Sequence, residues 1–371
     1  MANNTVKKAI ALLLAICAVS AIFCACEAEP EDTSIWAQKK LPYNYPLDSY
    51  VVLGEYIGVT DVSVELDYDF EARRNARIAE IFKDLVTYDK ADTALIGDKA
   101  VLECEVLLGT EVCDFLPAGD YEIVIGALTR LNVLSDSYTE RLLADAIQRS
   151  INGESYFNVP SFYSDVRYRG KTLKVRTKLK EIYRPDFSAL NDESVSADGV
   201  YESLEALYDA VEIDIYTEDA EIAEYAKKRI LWDKAVADST FFSPLPKDEL
   251  SRCETEYIDY YKEIAEYNGI SYEEYLSSVH MTEEQILSDA RAYAEEKVKN
   301  ELCAFAIAKE EGLIPSQTQC QMLGHELAHK LGYSGYDELI SYNSEQCVYV
   351  YIIWETASSF ILEHAKSPVF E

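Results

Sequence analysis

Between Tyr257 and Leu313 the chain carries a succession of helix-start and helix-stop signals that leaves little freedom of fold. The stretch YIDYYKEIAEYNGISYEEYLSSVHMTEEQILSDARAYAEEKVKNELCAFAIAKEEGL reads as a helix, a glycine-containing break, a short helix opening on Ser271, a second break, and a long helix opening on Thr282. Ser271 stands three residues before Glu274, and Thr282 three before Gln285. At that spacing a hydroxyl and an acidic or amide side chain satisfy the orphan amides of a helix start reciprocally. From Ile286 the apolar residues recur at helical spacing through Leu287, Ala290, Tyr293, Ala294, Val298, Leu302, Phe305 and Ala306. Such a helix buries one stripe and solvates the rest.

The helical pattern extends both ways. Leu204, Leu207, Tyr208 and Val211 line up, followed by Ile222, Tyr225, Ala226, Ile230 and Ala237. The proline-bearing segment from Phe241 to Pro246 then breaks the pattern before Lys247. Exposed, Phe241 and Phe242 would be a contact for a bound chain; packing into the helix junction is the other reading. The last helix, about Val348 to Ala365, is the most apolar, but it is too short and too interrupted by Glu355 to span a membrane.

At the other end Lys7 and Lys8 precede an apolar run, Ala9 to Phe23, of the length of a secretion signal. It ends in Phe23, Cys24, Ala25 and Cys26, followed by acidic Glu27 to Glu31. A small residue before a cysteine and then a polar start resembles a bacterial lipoprotein signal, with Cys26 as the lipid-carrying residue. Cys24 and Cys17 fit less well, because Phe23 and Ile16 precede them. An uncleaved anchor and plain secretion are the alternatives. The expected location is extracytoplasmic, lipid-anchored to the cell membrane.

Acidic residues outnumber basic ones 67 to 34, for a net charge of −33. So acidic a chain repels nucleic acid and anionic headgroups, so no nucleic-acid partner is expected. The same charge keeps a surface soluble even where it is sticky. The 28 tyrosines offer large apolar faces with polar tips, suited to loose contact with many partners and equally to half-buried positions. Beyond residue 26 the cysteines are Cys104, Cys113, Cys253, Cys303, Cys320 and Cys347, with no CxxC pair. Cys104 and Cys113 could meet across a hairpin, and Cys320 and Cys347 across two helices. Free buried thiols are the other reading.

Between the ends, residues 27–49 read as an acidic tether with Pro30, Pro42 and Pro46. Residues 50–96 form a lead-in: a strand-like start at Tyr50, alternating Val62, Val64 and Leu66, and a helical segment from about Phe70 to Val86. Residues 97–183 read mostly as strand. Gly97 and Asp98 turn into Ala100–Leu108, a second strand follows at 120–126, and 171–182 alternates with Leu173, Val175, Thr177 and Leu179 on one face.

The order of pieces in 257–313 resembles the C-terminal domain of bacterial trigger factor, whose helical arms cradle unfolded chains. The turn at Gly97, DYEIVIG at 120–126, NVPSFYSDVRYRGKTLKV at 158–175 and KEIYRPDFSALNDE at 180–193 resemble the FKBP-type prolyl isomerase domain found inside trigger factor. The resemblance covers about 97–365. It implies an α+β fold: a small antiparallel FKBP-like β domain, residues 97–190, followed by an all-α, extended trigger factor C-terminal arm domain, residues 191–371. Residues 50–96 resemble the lead-in of secreted trigger-factor-like lipoproteins. The implied partners are unfolded or nascent secreted polypeptides and proline-containing segments, with the membrane reached through Cys26. Cytosolic trigger factor also has a ribosome-binding domain with a basic loop. Nothing here matches it, so no ribosome docking is expected.

Chemistry in that family needs no charged catalyst and no cofactor. The barrier to rotation about a peptide bond is about 18–20 kcal/mol, and a pocket lowers it by desolvating the twisted imide over an aromatic floor. Carried over by position, the pocket residues are Tyr121, Tyr138, Phe162 and Tyr163, with Asp114 and Phe115 near the family's acidic–aromatic pair. Tyr121 and Tyr163 also read as barrel core. The family's glycine-containing signature is absent from Leu131–Tyr138, and only Gly109 to Glu111 stands where an Asp-Gly hairpin is usual. The expectation is therefore an FKBP-type peptidyl-prolyl isomerase domain of weakened or lost turnover.

One motif points elsewhere. His325, Glu326 and His329 form an HExxH pattern, which on a helix places both imidazoles on one face with Glu326 able to activate a zinc-bound water. The third histidine of the extended form is replaced by Gly335, with Glu345 and Glu355 as possible carboxylate ligands. In trigger factor register both histidines are solvated helix residues, and no zinc is expected. A zinc-dependent metalloenzyme and a non-catalytic surface-binding lipoprotein remain the alternatives to a folding factor.

Overall fold

The computed structural model describes residues 35–36, 41–128, 131–134, 136–160, 163, 165, 167–197, 199–279 and 281–366. The signal at 1–26 with Cys26, much of the tether, and Phe162 lie outside the described residues. The chain divides into two compact units, one of residues 1–62 with 228–371 and one of residues 63–227.

The first unit includes a strap, residues 41–59, which turns at 42–43 and 48–50. Tyr43, Leu47, Val51 and Tyr56 are buried in the core of the helical unit, so 41–49 differ from the expected tether. The strap alternates apolar rings with Pro42 and Pro46, and its rings have somewhere to go. Its only strand is β1 (Val51–Val52). Gly54 lies so close to the chain that a Cβ there would stand 2.3 Å from the Asp238 carbonyl oxygen. That neighbour is backbone and cannot swing aside. Gly54→Ala is expected to destabilise this unit by about 1–3 kcal/mol or more. The check is the urea midpoint, and an unchanged midpoint would mean the strap is not held.

The second unit is an antiparallel sheet with helices. Helix α1 (Phe70–Ile81) starts at Asp69, whose carboxylate accepts from the Ala72 amide at 2.8 Å. The strands are β2 (Thr87–Lys90), β3 (Lys99–Leu108), β4 (Glu111–Val112), β5 (Gly119–Val124), β6 (Glu154–Asn158) and β7 (Thr172–Asp186). Among them the order is β2-β7-β3-β4, with β5 also on β3 and β6 also on β7. Leu173, Val175 and Thr177 face the core as the alternation implies. Beyond them the register slips, with Leu102 opposite Leu179 but Val101 opposite Glu181. This bulge shifts the parity, so the next buried residue is Ile182. Asp98 is clamped at the start of β3, accepting from Arg184 at 2.9 and 3.0 Å and from the Leu95 amide at 2.9 Å.

That clamp has a pH signature. Hydrogen bonding from Arg184 outweighs burial and holds the Asp98 carboxyl below the usual range. Stability from this group is therefore fully present above the ordinary aspartate value of about 3.9 and lost as pH falls through the lower folded value. Asp98→Asn is expected to flatten that part of the acid unfolding curve, measured by far-ultraviolet circular dichroism. An unchanged acid limb would contradict it.

Three expectations are corrected in this unit. Residues 62–66 form no strand. The region 97–183 is interrupted by a helix, α2 (Ser137–Arg149), begun at Asp136, which accepts from the Thr139 amide at 2.6 Å. Leu143, Ala146 and Ile147 of α2 join β3 and β7 residues in the core. The unit also reaches further than 97–190 on both sides. Ile78, Phe82 and Val86 pack with Leu190, Val195, Leu207, Val211 and Ile215, the last three on helix α4 (Leu204–Asp238), which follows the short α3 (Asp192–Ser196). Polar contacts reinforce the packing: Asp219 accepts from Arg73 at 2.5 and 2.6 Å and from the Tyr68 hydroxyl at 2.6 Å, and Glu218 pairs with Arg73, Arg77 and Arg141.

The first unit resumes at the end of α4. Strand β8 (Thr240–Phe241) pairs with β1, so Phe241 joins the junction while Phe242 remains exposed. Then come α5 (Lys247–Tyr267), α6 (Tyr272–Ser278), α7 (Glu283–Glu310), α8 (Gln317–Lys330), α9 (Tyr336–Tyr342) and α10 (Glu345–Glu363). Both expected capping boxes form: the Ser271 and Glu274 bonds measure 2.8 and 3.2 Å, as do those of Thr282 and Gln285. Cys104, Cys113 and Cys320 are free, so neither of the two suggested disulfides forms. Burial pushes the thiols of Cys104, Cys303 and Cys320 up to about 12, which keeps them un-ionised and unreactive. No helix among the described residues is long and apolar enough to cross a membrane.

Candidate functional site

Asp114, Phe115 and Tyr163 come together at one end of the sheet unit's core. The Phe115 ring lies 5.4 Å from Tyr163, 5.6 Å from Phe157 and 5.2 Å, edge-on, from Tyr168. Asp114 accepts a short hydrogen bond from the Tyr168 hydroxyl and bonds from Arg167 at 3.0 and 3.2 Å. Arg167 also grips Asp165, and Arg169 donates to the Tyr163 carbonyl at 2.6 Å. Burial opposes the charge on Asp114, but the bonds from Tyr168 and Arg167 win and hold its carboxyl below the usual range.

Phe157, Arg167 and Tyr168 are the members that sequence reading missed. Ser155 and Phe157 alternate inward along β6, a period-2 signal that would have placed Phe157. Tyr168 and Arg167 lie within the motif at 158–175 but carry no spacing cue. Tyr121 sits at the fringe of the same core, donating to the Pro117 carbonyl at 2.6 Å. Tyr138 is in the first turn of α2, where burial raises its phenol.

An isomerase floor must offer aromatic surface to a substrate. Phe115, Tyr163 and Tyr168 are 5%, 9% and 4% exposed. The rings pack on one another, and Arg167 and Tyr168 hold Asp114 beside them.

The helical unit offers a different surface. Tyr257, Tyr260 and Tyr261 of α5, Tyr275 of α6 and Tyr293 of α7 form a chain of ring contacts at 5.1–6.2 Å. The Tyr257 and Tyr261 hydroxyls are 3.3 Å apart. Nearby Tyr267, Ile270 and Leu287 are exposed. Acidic residues surround the rings, and burial together with Asp259 and Glu266 raises the Glu263 carboxyl. Broad apolar faces with polar tips can hold an extended chain loosely without a shaped pocket.

His325 and His329 are both exposed on α8. The Tyr336 amide donates to His325 Nδ1 at 3.2 Å. Gly324 makes room for this turn, since a Cβ there would lie 2.3 Å from the Tyr336 ring. His325 therefore receives the first amide of α9. Among the described residues no group of three or more His, Cys, Asp or Glu side chains is arranged to hold a metal.

Residues 203–353 match the family model of the bacterial trigger factor protein C-terminus. A trigger factor of Caldicellulosiruptor bescii is 24% identical over 358 residues, covering 91% of this chain and 77% of that protein. Trigger factors of Clostridium acetobutylicum and Pediococcus pentosaceus are 23% and 24% identical, covering 85% and 76% of this chain and 73% and 64% of theirs. A solved structure described as "Promiscuous Substrate Recognition in Folding and Assembly Activities of the Trigger Factor Chaperone" aligns with 85% of this chain and 73% of that one, at 17% identity and a TM-score of 0.37. The chain is thus similar to trigger factors over most of its length, with the match to the trigger factor C-terminus lying in its helical residues 203–353.

Proposed function

We propose that this protein is a folding chaperone held outside the cytoplasm by a lipid on Cys26, with an isomerase-type sheet unit whose turnover is weak or lost. The observation that carries the chaperone reading is the match of residues 203–353 to the trigger factor C-terminus. The half-buried Tyr260, Tyr261, Tyr275 and Tyr293, with exposed Tyr267, Ile270 and Leu287 nearby, supply a physical means: many shallow contacts bind unfolded chains without selecting one sequence. The reduced-turnover reading is supported by the burial of Phe115, Tyr163 and Tyr168, which keeps these three rings from serving as a floor for an X–Pro bond. The anchored reading rests on the basic, apolar and cysteine-ending order of residues 7–26.

Proline-limited refolding of a reduced, unfolded model protein tests the mechanism. Residues 27–371 are expected to suppress aggregation near one-to-one and to leave the slow phase unchanged at catalytic dose. Acceleration at substoichiometric dose, lost on Tyr163→Ala in a still-folded variant, would restore a working isomerase. Absence of both effects would overturn the chaperone reading. Labelled fatty acid incorporated by the parent and not by Cys26→Ala tests the anchor, and co-sedimentation with ribosomes would contradict the exported location.

A further inference from the structure

The junction of the strap with α5 and α7 holds an unbalanced set of charges. Arg252 pairs with Glu249 at 3.0 Å, with Glu256 at 2.6 Å and closely with Glu301, and Lys297 pairs with Glu256 at 2.5 Å. Three carboxylates thus face two cations in a region where every carboxylate is at least nine-tenths buried. Glu301 receives the Tyr43 hydroxyl on Oε2 at 2.7 Å. Its Oε1 is buried and accepts no hydrogen bond, with Lys297 Nζ 3.9 Å away.

We infer that Glu301 is a neutral carboxylic acid in the folded helical unit at pH 7, its proton on the unpaired Oε1 while Oε2 accepts from Tyr43 of the strap. Removing one negative charge balances the set at two against two. An unpaired buried hydroxyl costs far less than an unpaired buried charge. Oε2 then serves as a carbonyl-type acceptor for both Tyr43 and Arg252. The surroundings agree from each side. The strap presents Tyr43 and Tyr45, whose phenols are raised by burial and by the neighbouring acids. Helix α5 presents Cys253 besides its three charged residues, and that thiol too is raised by burial. Helix α10 brings the Cys347 sulfur to 3.8 Å from Glu256. Burial is the main influence on Glu301 itself and raises its carboxyl, against Arg252 and Lys297.

The sign of the effect follows. A carboxyl raised in the folded state binds its proton more tightly there than in the unfolded chain. The stability it contributes is fully present below the unfolded value and is lost as pH rises through the folded one. Glu301→Gln, the neutral isostere, mimics the protonated form and has no such loss. Urea unfolding of the full mature chain between pH 5 and pH 7 is expected to show the ratio of unfolding constants, parent over Glu301→Gln, rising about tenfold per pH unit. A ratio that is flat with pH would overturn the assignment. The infrared spectrum of the parent at pH 7 is expected to contain a protonated-carboxyl C=O band that Glu301→Gln lacks. If Glu301→Gln does not fold, absence of that band in the parent overturns the assignment by itself.

Discussion

Arg252→Ala is expected to remove about 3–5 kcal/mol from the helical unit, the range for breaking a buried ion pair from one side. Arg252 alone touches Glu249, Glu256 and Glu301, and only Lys297 would remain to face them. Burial works against its charge, yet the acidic groups around it outweigh burial and hold its proton more tightly than in water. The loss should be largest near neutral pH, where Glu249 and Glu256 are left charged, and shrink toward pH 4, where they protonate. Urea unfolding followed by tryptophan emission reads both effects, since Trp232 and Trp354 lie in this unit. A loss under about 1 kcal/mol would place the pair in the weak class of solvent-exposed bridges.

Trp232→Ala is expected to cost the same unit about 3–5 kcal/mol through the cavity it leaves. Trp232 is fully buried, packs edge-on against Trp354 at 6.3 Å and donates from Nε1 to Asn300 Oδ1 at 2.8 Å. The substitution deletes a large ring and strands the Asn300 oxygen, two penalties of different origin. Trp232→Phe separates them, refilling most of the volume while leaving Asn300 unpaired. A loss for Trp232→Phe of about 1–3 kcal/mol would be the hydrogen-bond share. The measurement is circular dichroism in urea, and a loss for alanine no larger than for phenylalanine would show that the cavity collapses.

The helices were legible because their signals are local. Ser271 with Glu274, and Thr282 with Gln285, specify their own starts within one turn, and those starts appear where expected. Helix α2 was missed although Asp136 caps it, because the flanking strand formers dominate a reading by composition. The strap was misread for a different reason. A tether and a buried strap share prolines and lack periodicity, and only partners far along the chain, such as Glu301 for Tyr43 and Glu311 for Tyr56, tell them apart. The bulge opposite Val101 is equally silent in sequence, since one extra residue in β7 changes no pattern until the strands are paired.

Of the carried-over positions, Asp114, Phe115 and Tyr163 come together, while Tyr121 lies at the fringe and Tyr138 on α2. Tyr163 reads from the sequence both as floor and as core and Phe115 as part of the acidic–aromatic pair, and both rings are buried. The contacts of Arg167 and Tyr168 with Asp114 beside them join residues more than fifty positions apart. No spacing rule connects such pairs.

The helical unit is built from both sides of the sheet unit: its strap precedes residue 63 and its helices follow residue 227. Synthesis runs from the N-terminus, so residues 63–227 are complete while β1 still lacks β8 and Tyr43 still lacks Glu301. The strap must therefore wait through nearly the whole of translation with its aromatic residues unburied. Closing so long a loop is slow. Until it closes, the chain is itself an unfolded polypeptide with a tyrosine- and proline-bearing segment exposed, in need of the same kind of shelter its finished helices are proposed to give.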